Sequence, residues 1–188
     1  MPKLSLDEIR KRFESSKEFD EIFDAFQQAL EHRADSIELY RQLFWNSSLA
    51  PDELCMFGEK LSREFPHIAY DSYMWLASVF GVTYSMFDNY ELALTYFQKA
   101  ASARPAALDP YLDAADCYEP DLNIPPLSQL IGFLKVGVRH VPAPHPLYHK
   151  LAHLYEIGGN DEMSKYFRQR ANEQPPPSPP TEQIPPAR

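Results

Sequence analysis

Four prolines set a ruler along this chain. Pro66, Pro105, Pro142 and Pro176 fall 39, 37 and 34 residues apart, each about five residues beyond a small or apolar residue that closes a helical pattern. Proline has no amide hydrogen and its ring collides with the preceding turn, so each recurrence ends or redirects a helix. A period near 34 residues marks a stack of supersecondary units, none of which buries its apolar face alone. The chain is therefore expected to fold as an array of short helical units rather than around one central sheet.

Composition agrees with helices. Val, Ile and Thr together number 16 of 188 residues, too few for an all-β chain, while Leu, Ala, Glu, Gln and Lys fill the periodic stretches. Helix boundaries are also marked. Ser5-x-x-Glu8 reads as a capping box with Leu4 and Ile9 as its hydrophobic staple, and Asp35-x-x-Glu38 and Asp88-x-x-Glu91 repeat the box. Pro51, Pro110 and Pro146 suit the first turn of a helix, and Gly158-Gly159-Asn160 stops one helix and caps the next. These signals divide the chain into about nine helices of roughly 10 to 18 residues.

Between Ala77 and Pro105 stand Phe80, Gly81, Tyr84, Ala93, Phe97 and Ala100. Their spacing resembles the tetratricopeptide repeat, a 34-residue helix pair with a large apolar residue, a small one, Tyr, Ala, Phe, Ala and Pro at these offsets. In that pattern Gly81 and Ala93 let the two helices of a pair approach closely, and Pro105 turns the chain into the next pair. Tyr111, Ala114, Ala115, Tyr118, Leu130, Leu134, Gly137 and Pro142 continue it, with about three extra residues in the loop Pro120 to Pro126. Tyr148, Leu151, Ala152, Tyr155, Ala171 and Pro176 give a further copy in which Ser164 and Arg168 replace Ala and an aromatic. Toward the N-terminus Leu54, Leu61 and Pro66 fit a degenerate repeat, and Ile22, Phe26 and Ala29 a lone second helix. Residues Pro66 to Ala77 run about five longer than the consensus, implying an extended helix near Ala69 to Met86.

The resemblance implies an all-α, right-handed superhelical solenoid of antiparallel helix pairs, about four repeats plus N-terminal helices, over residues 1–174. Residues 175–188 form a different segment: seven of the last 14 are proline, and the stretch is expected to be a solvated polyproline-II tail. Its Pro177-x-x-Pro180 matches a minimal SH3-type ligand without a close basic neighbour.

Solenoids of this family bind peptides in a concave groove lined by the first helix of each pair. Carried over position by position, the groove would comprise Leu39 and Leu43, then Trp75, Ser78, Val79 and Val82. Asp109, Leu112, Asp113, Asp116 and Glu119 would follow, and then His149, Lys150, His153 and Glu156. Trp75 fits the core equally well. The groove would be apolar at one end and acidic toward the other, with Asp109, Asp113 and Asp116 within about 60° of one another on a helix. Like charges so placed cost a few tenths of a kcal/mol per pair unless a cation sits opposite. They suit either a solvated face or a ligand with basic and apolar residues.

Other chemistries find less. His149-x-x-x-His153 with Glu156 has ligand spacing but lacks the Glu that follows the first His in zinc proteases, so a solvated histidine face is expected and no metal or cofactor is assigned. Neither a nucleophile with a base nor a Gly-rich phosphate loop is present, so the reading is non-enzymatic. With a net charge of −9 and no basic cluster, the chain is not expected to bind nucleic acid or anionic lipid. Cys55 and Cys117 have no ligand spacing and read as buried free thiols. The N-terminal residues lack a signal-peptide core and no apolar run reaches membrane-spanning length, so a soluble, cytoplasmic protein is expected.

The sequence is thus read as a protein-interaction module, an adaptor that holds a partner peptide. The family's clamp for chaperone tails needs Lys, Asn and Arg at set positions, where this chain has Ser78, Val82, Asp113 and Pro146, and only Lys150 agrees. A second resemblance, carried by Tyr90-Glu91-Leu92-Ala93 and Ala114-Ala115-Asp116-Cys117, is to class II type III secretion chaperones. It implies the alternative role of cytoplasmic chaperone for a secreted protein.

Overall fold

Each helix starts where the local chemistry allows it. A computed structural model describes residues 3–83 and 87–173; the side chains of Thr83, Phe87 and Asp88 also stand outside the described set. At the first helix, α1 (Leu6–Ser15), the Ser5 hydroxyl accepts from the Glu8 N–H at 3.3 Å. The Glu8 carboxylate in return accepts from the Ser5 N–H at 2.7 Å. This capping box satisfies two of the amide groups that a helix start leaves open. Leu4 and Ile9 are both buried, in the positions of the staple.

The described residues hold ten α-helices rather than nine: α1, α2 (Phe19–Glu31), α3 (Ile37–Phe44), α4 (Pro51–Glu64), α5 (Ala69–Thr83), α6 (Phe87–Ala103), α7 (Asp109–Asp116), α8 (Leu127–His140), α9 (His145–Ile157) and α10 (Asp161–Glu173). A single 3-10 turn, Pro66–Ile68, leads into α5. Pro51, Pro110 and Pro146 sit in the first turns of α4, α7 and α9. Gly158 closes α9, Gly159 takes φ +71°, and Asn160 Oδ1 accepts from the Met163 N–H at 3.1 Å to start α10. The fold is an all-α solenoid of antiparallel helix pairs.

Three local expectations are corrected. Asp35 does not cap α3, whose first turn follows Ser36 without a side-chain bond; Asp35 instead meets His67 Nε2 at 3.0 Å, outside the helix. The helix of Ile22, Phe26 and Ala29 is not alone, because α1 packs against both α2 and α3 and supplies Ile9 and Phe13 to the same core. Asn46 fastens that packing, its amide donating to the Phe13 and Ser16 carbonyls at 2.8 and 3.0 Å. Cys55 and Cys117 are free but only half-buried. The expected extended helix does begin at Ala69, whereas Tyr84 and Met86, and the Asp88 side chain of the third capping box, lie outside the described residues.

One apolar core runs the length of the array from Leu4 to Ala171. Aromatic rings bridge its layers: Phe26 meets Phe57 at 4.8 Å, Tyr111 meets Phe133 at 4.7 Å, and Tyr155 stacks on Phe167 at 5.6 Å. Burying a side chain of this size contributes about 1.5 to 3 kcal/mol, so the repeats cohere through nearest neighbours. Small residues set the spacing. A Cβ at Gly58 would lie 2.1 Å from Leu76 Cδ1, and one at Gly137 would lie 2.8 Å from the Tyr111 ring. At Gly81 the nearest described neighbour of an added Cβ is Cys117 Sγ at 3.0 Å, so this glycine also spaces α5 from the next pair. No described helix is long and apolar enough to cross a membrane.

Candidate functional site

The first helices of successive pairs stand side by side and are tied along one face. Arg41 of α3 lies over the Trp75 ring of α5 at 5.3 Å. Arg104, just beyond α6, covers Tyr70 of α5 at 4.2 Å and reaches Asp71 at 3.4 Å. Lys150 of α9 binds the Asp116 carboxylate of α7.

A cavity of about 370 Å³ opens between α5 and α7. Ser78, Gly81 and Val82 form the α5 wall, and Tyr90 and Phe97 reach in from α6. Opposite them stand Asp113 and Asp116, followed by Cys117, Tyr118 and Glu119. Helical spacing explains the acidic wall: Tyr111, Ala114 and Ala115 turn into the core, which leaves Asp113 and Asp116 on the opposite side of the eight-residue α7. Glu119 is held by a one-rung antiparallel bridge, its N–H donating to the Ile124 carbonyl at 2.8 Å. The Tyr118 hydroxyl donates to Asn123 Oδ1 at 3.2 Å, which also receives the Leu127 N–H and so joins the loop to α8.

The electrostatics of the wall are uneven. Asp116 has Lys150, whereas Asp113 makes no hydrogen bond or ion pair among the described residues. Partial burial and then the neighbouring charges of Asp109 and Asp116 raise its carboxyl above the ordinary range, with Lys150 opposing them. The same surroundings push the Cys117 thiol up to about 11, through burial first and the two aspartates second. A raised thiol pKa leaves little thiolate at neutral pH.

The groove residues expected from sequence divide into two groups. Val82 is 74 % exposed, Asp109, Asp113, Asp116, His149 and His153 are exposed, and Trp75 and Leu112 are half-buried. Leu39, Leu43 and Val79 are instead buried at 5 % exposure or less and form part of the core, which removes them from an open groove. In α3 the stripe Leu39, Tyr40, Leu43 and Phe44 faces inward, so its apolar residues are spent on packing. The cavity brings together Ser78, Val82, Asp113, Asp116 and Glu119. It does not include Trp75, the histidines or Asp109. On α9 the His145 and His149 rings meet edge to face at 4.7 Å, and Glu156 is bound by Arg168 rather than aimed at the histidines.

Sequence reasoning missed Tyr90, Phe97, Cys117 and Tyr118 as cavity walls: Phe97 and Tyr118 occupy core positions of the repeat pattern, and Tyr90 and Cys117 entered through the second resemblance and not as groove positions. It also missed the exposed Trp45, which follows Phe44 at the end of α3 and falls one residue outside that helix's buried stripe.

No family model and no curated protein matches the chain. Two crystal structures of MamA are similar in fold. One has a TM-score of 0.51 at 16 % identity over 90 % of this chain and 89 % of that one. The other has a TM-score of 0.50 at 17 % identity over 83 % and 88 %. At this identity the likeness shows the fold alone, a solenoid of helix pairs.

Proposed function

We propose that this protein is a non-enzymatic interaction module that holds a partner peptide of basic and apolar residues in the groove between α5 and α7. One observation carries the reading. Asp113 makes no ion pair among the described residues and stands on the wall of an open cavity with Asp116, Glu119, Val82 and Tyr90, with Lys150 near enough to offset its neighbouring charges only in part. Three carboxylates beside aromatic and aliphatic surface match an arginine or lysine side chain, whose stem is apolar and whose head is cationic. Clustering the acids raises the free energy of the unliganded protein, and a basic ligand would relieve it. The solenoid supplies a rigid frame for such a groove, in the helical-repeat manner of extended concave binding surfaces. Action in the cytoplasm is part of this reading.

The test titrates a peptide of alternating Arg and Leu, and its Glu-for-Arg counterpart, against the parent and against Asp109→Asn/Asp113→Asn/Asp116→Asn. Exposed ion pairs contribute about 0.2 to 1 kcal/mol each and two of the three, Asp113 and Asp116, line the cavity, so the triple variant should bind about 2- to 30-fold more weakly, with a flatter salt dependence. Equal binding of the two peptides, or of parent and variant at low salt, overturns the reading.

A second reading has its own observation. The two short stretches that resemble class II secretion chaperones meet at this cavity, through Tyr90 from one and Asp116 and Cys117 from the other. Mass spectrometry of the co-purified partner separates the two: an exported, membrane-active protein supports the chaperone, and a resident complex supports the adaptor.

A further inference from the structure

The cavity between α5 and α7 offers a cation more aromatic surface than hydrogen-bond acceptors. Of its three carboxylates, Asp116 already binds Lys150, and Glu119 Oε1 accepts from the Asp121 N–H at 3.4 Å. The Ser78 hydroxyl donates its hydrogen to the Met74 carbonyl at 2.9 Å. That leaves Asp113 as the carboxylate with no hydrogen bond or ion pair among the described residues. A guanidinium brings five N–H donors and a primary ammonium three, more than one carboxylate receives in a single geometry, and each unmet donor costs free energy.

The aromatic side of the cavity is formed by Tyr90, Phe97 and Tyr118, Phe97 reaching it from the core at 1 % exposure. The Tyr118 ring is held at its far end, where the hydroxyl donates to Asn123 Oδ1 at 3.2 Å. Elsewhere in the chain, rings are covered by the protein's own cations: Arg41 over Trp75 at 5.3 Å, Arg104 over Tyr70 at 4.2 Å and Lys135 over Tyr155 at 5.3 Å. No described cation lies over Tyr90, Phe97 or Tyr118.

We propose that this cavity takes a methylated ammonium, the trimethyl-lysine side chain of a partner peptide. The inference rests on the groove reading above and names the side chain that the groove selects. A trimethylammonium head carries a full charge and no N–H, so no donor on it is orphaned when water leaves. Its methyl groups pack on ring faces, while the ring quadrupoles and Asp113 attract its charge. A volume of about 370 Å³ falls within the ordinary range of small-ligand sites, roughly 300 to 1,000 Å³, so the head and part of its stem enter together.

Calorimetric titration of the full chain tests the proposal with one peptide in four forms. Its central residue, between leucines, is lysine, trimethyl-lysine, glutamate, or the neutral analogue in which a tert-butyl group replaces the trimethylammonium. The trimethylated form should bind about 2- to 30-fold more tightly than the lysine form or the neutral analogue. Tyr90→Phe, which keeps the ring, should retain that preference, and Tyr90→Leu should lose it. The comparison of peptides uses the parent protein alone, so it decides the matter even where Tyr90→Leu does not fold. Equal binding of the lysine and trimethyl-lysine forms overturns the inference and leaves the groove reading standing, whereas a lysine form no tighter than the glutamate form overturns the groove reading itself. A neutral analogue as tight as the trimethylated form also overturns the inference, since apolar fit then suffices. Choline that binds as tightly as the peptide overturns the lysine source and assigns the cavity to a free quaternary amine.

Discussion

Helix α8 contains two glycines with opposite surroundings, and replacing each by alanine separates packing from helix propensity. At Gly132 an added Cβ meets nothing within 4 Å, whereas at Gly137 it lands 2.8 Å from Tyr111 Cγ and Cδ1 and 2.9 Å from Leu147 Cδ1. Ordinary contact begins near 3.4 Å, so the Tyr111 ring would have to withdraw by roughly half an ångström. Its room is limited to the side on which it borders a groove between α6 and α8: the ring is 1 % exposed, lies 4.7 Å from Phe133, and its hydroxyl donates to the Pro105 carbonyl at 3.4 Å. Both substitutions gain about 0.5 to 1 kcal/mol from removing a helix glycine. Only Gly137→Ala incurs overpacking, about 1 to 3 kcal/mol. The expected gap between the two variants is therefore about 1 to 3 kcal/mol, or about 2 to 12 °C in melting temperature for a chain of this size, with Gly132→Ala above the parent. Thermal unfolding followed by circular dichroism measures it. If Gly137→Ala stabilises as much as Gly132→Ala does, α8 does not cross Tyr111 as closely as described and the small-residue argument fails.

Gly58 and Leu76 should be coupled: Gly58→Ala clashes with a Leu76 side chain that is 0 % exposed, while Leu76→Ala leaves a cavity costing about 2 to 5 kcal/mol, so the double variant should lose less than the sum. A double-mutant cycle in urea reads the coupling, and strict additivity would contradict the contact. Asp113→Asn should raise the melting temperature at neutral pH, because a carboxyl raised by burial and by Asp109 and Asp116 disfavours the folded state when ionised. That gain should be full above the folded-state pKa and vanish as pH falls through it into the ordinary aspartate range; a gain that grows on acidification has the wrong sign. Cys117, with its thiol pushed up to about 11, should react with a maleimide at pH 8 far more slowly than a free thiol, and more slowly still with the Arg-Leu peptide bound.

How much of this was legible in the sequence depends on which interaction fixed each feature. Local chemistry is short-range, so Ser5 with Glu8, the prolines at 51, 110 and 146, and Gly158 with Gly159 and Asn160 could be placed from sequence and stand as described. Asp35 obeyed the same capping pattern and still left its helix for His67, 32 residues away, because a tertiary partner can outbid a local one that costs little to lose. The repeat period fixed which helices become neighbours but not how far each turns about its own axis. A rotation of one residue, about 100°, exchanges a groove position for a core position. Leu39, Leu43 and Val79 fell on the wrong side of that ambiguity, since an apolar residue satisfies either place. Asp109, Asp113 and Asp116 did not, because a cluster of three carboxylates with one paired cation, Lys150 on Asp116, cannot be buried without a cost of several kcal/mol, whatever the helix rotation. Charged residues were therefore the more reliable guide to the exposed face. The same reasoning explains why two of the cavity's aromatic walls were invisible: Phe97 and Tyr118 sit where a repeat needs core, and the gap between α5 and α7 makes them part of a wall. A groove proposed from the acids alone therefore lacks part of its lining, the aromatic residues that packing, rather than pattern, leaves at the cavity wall.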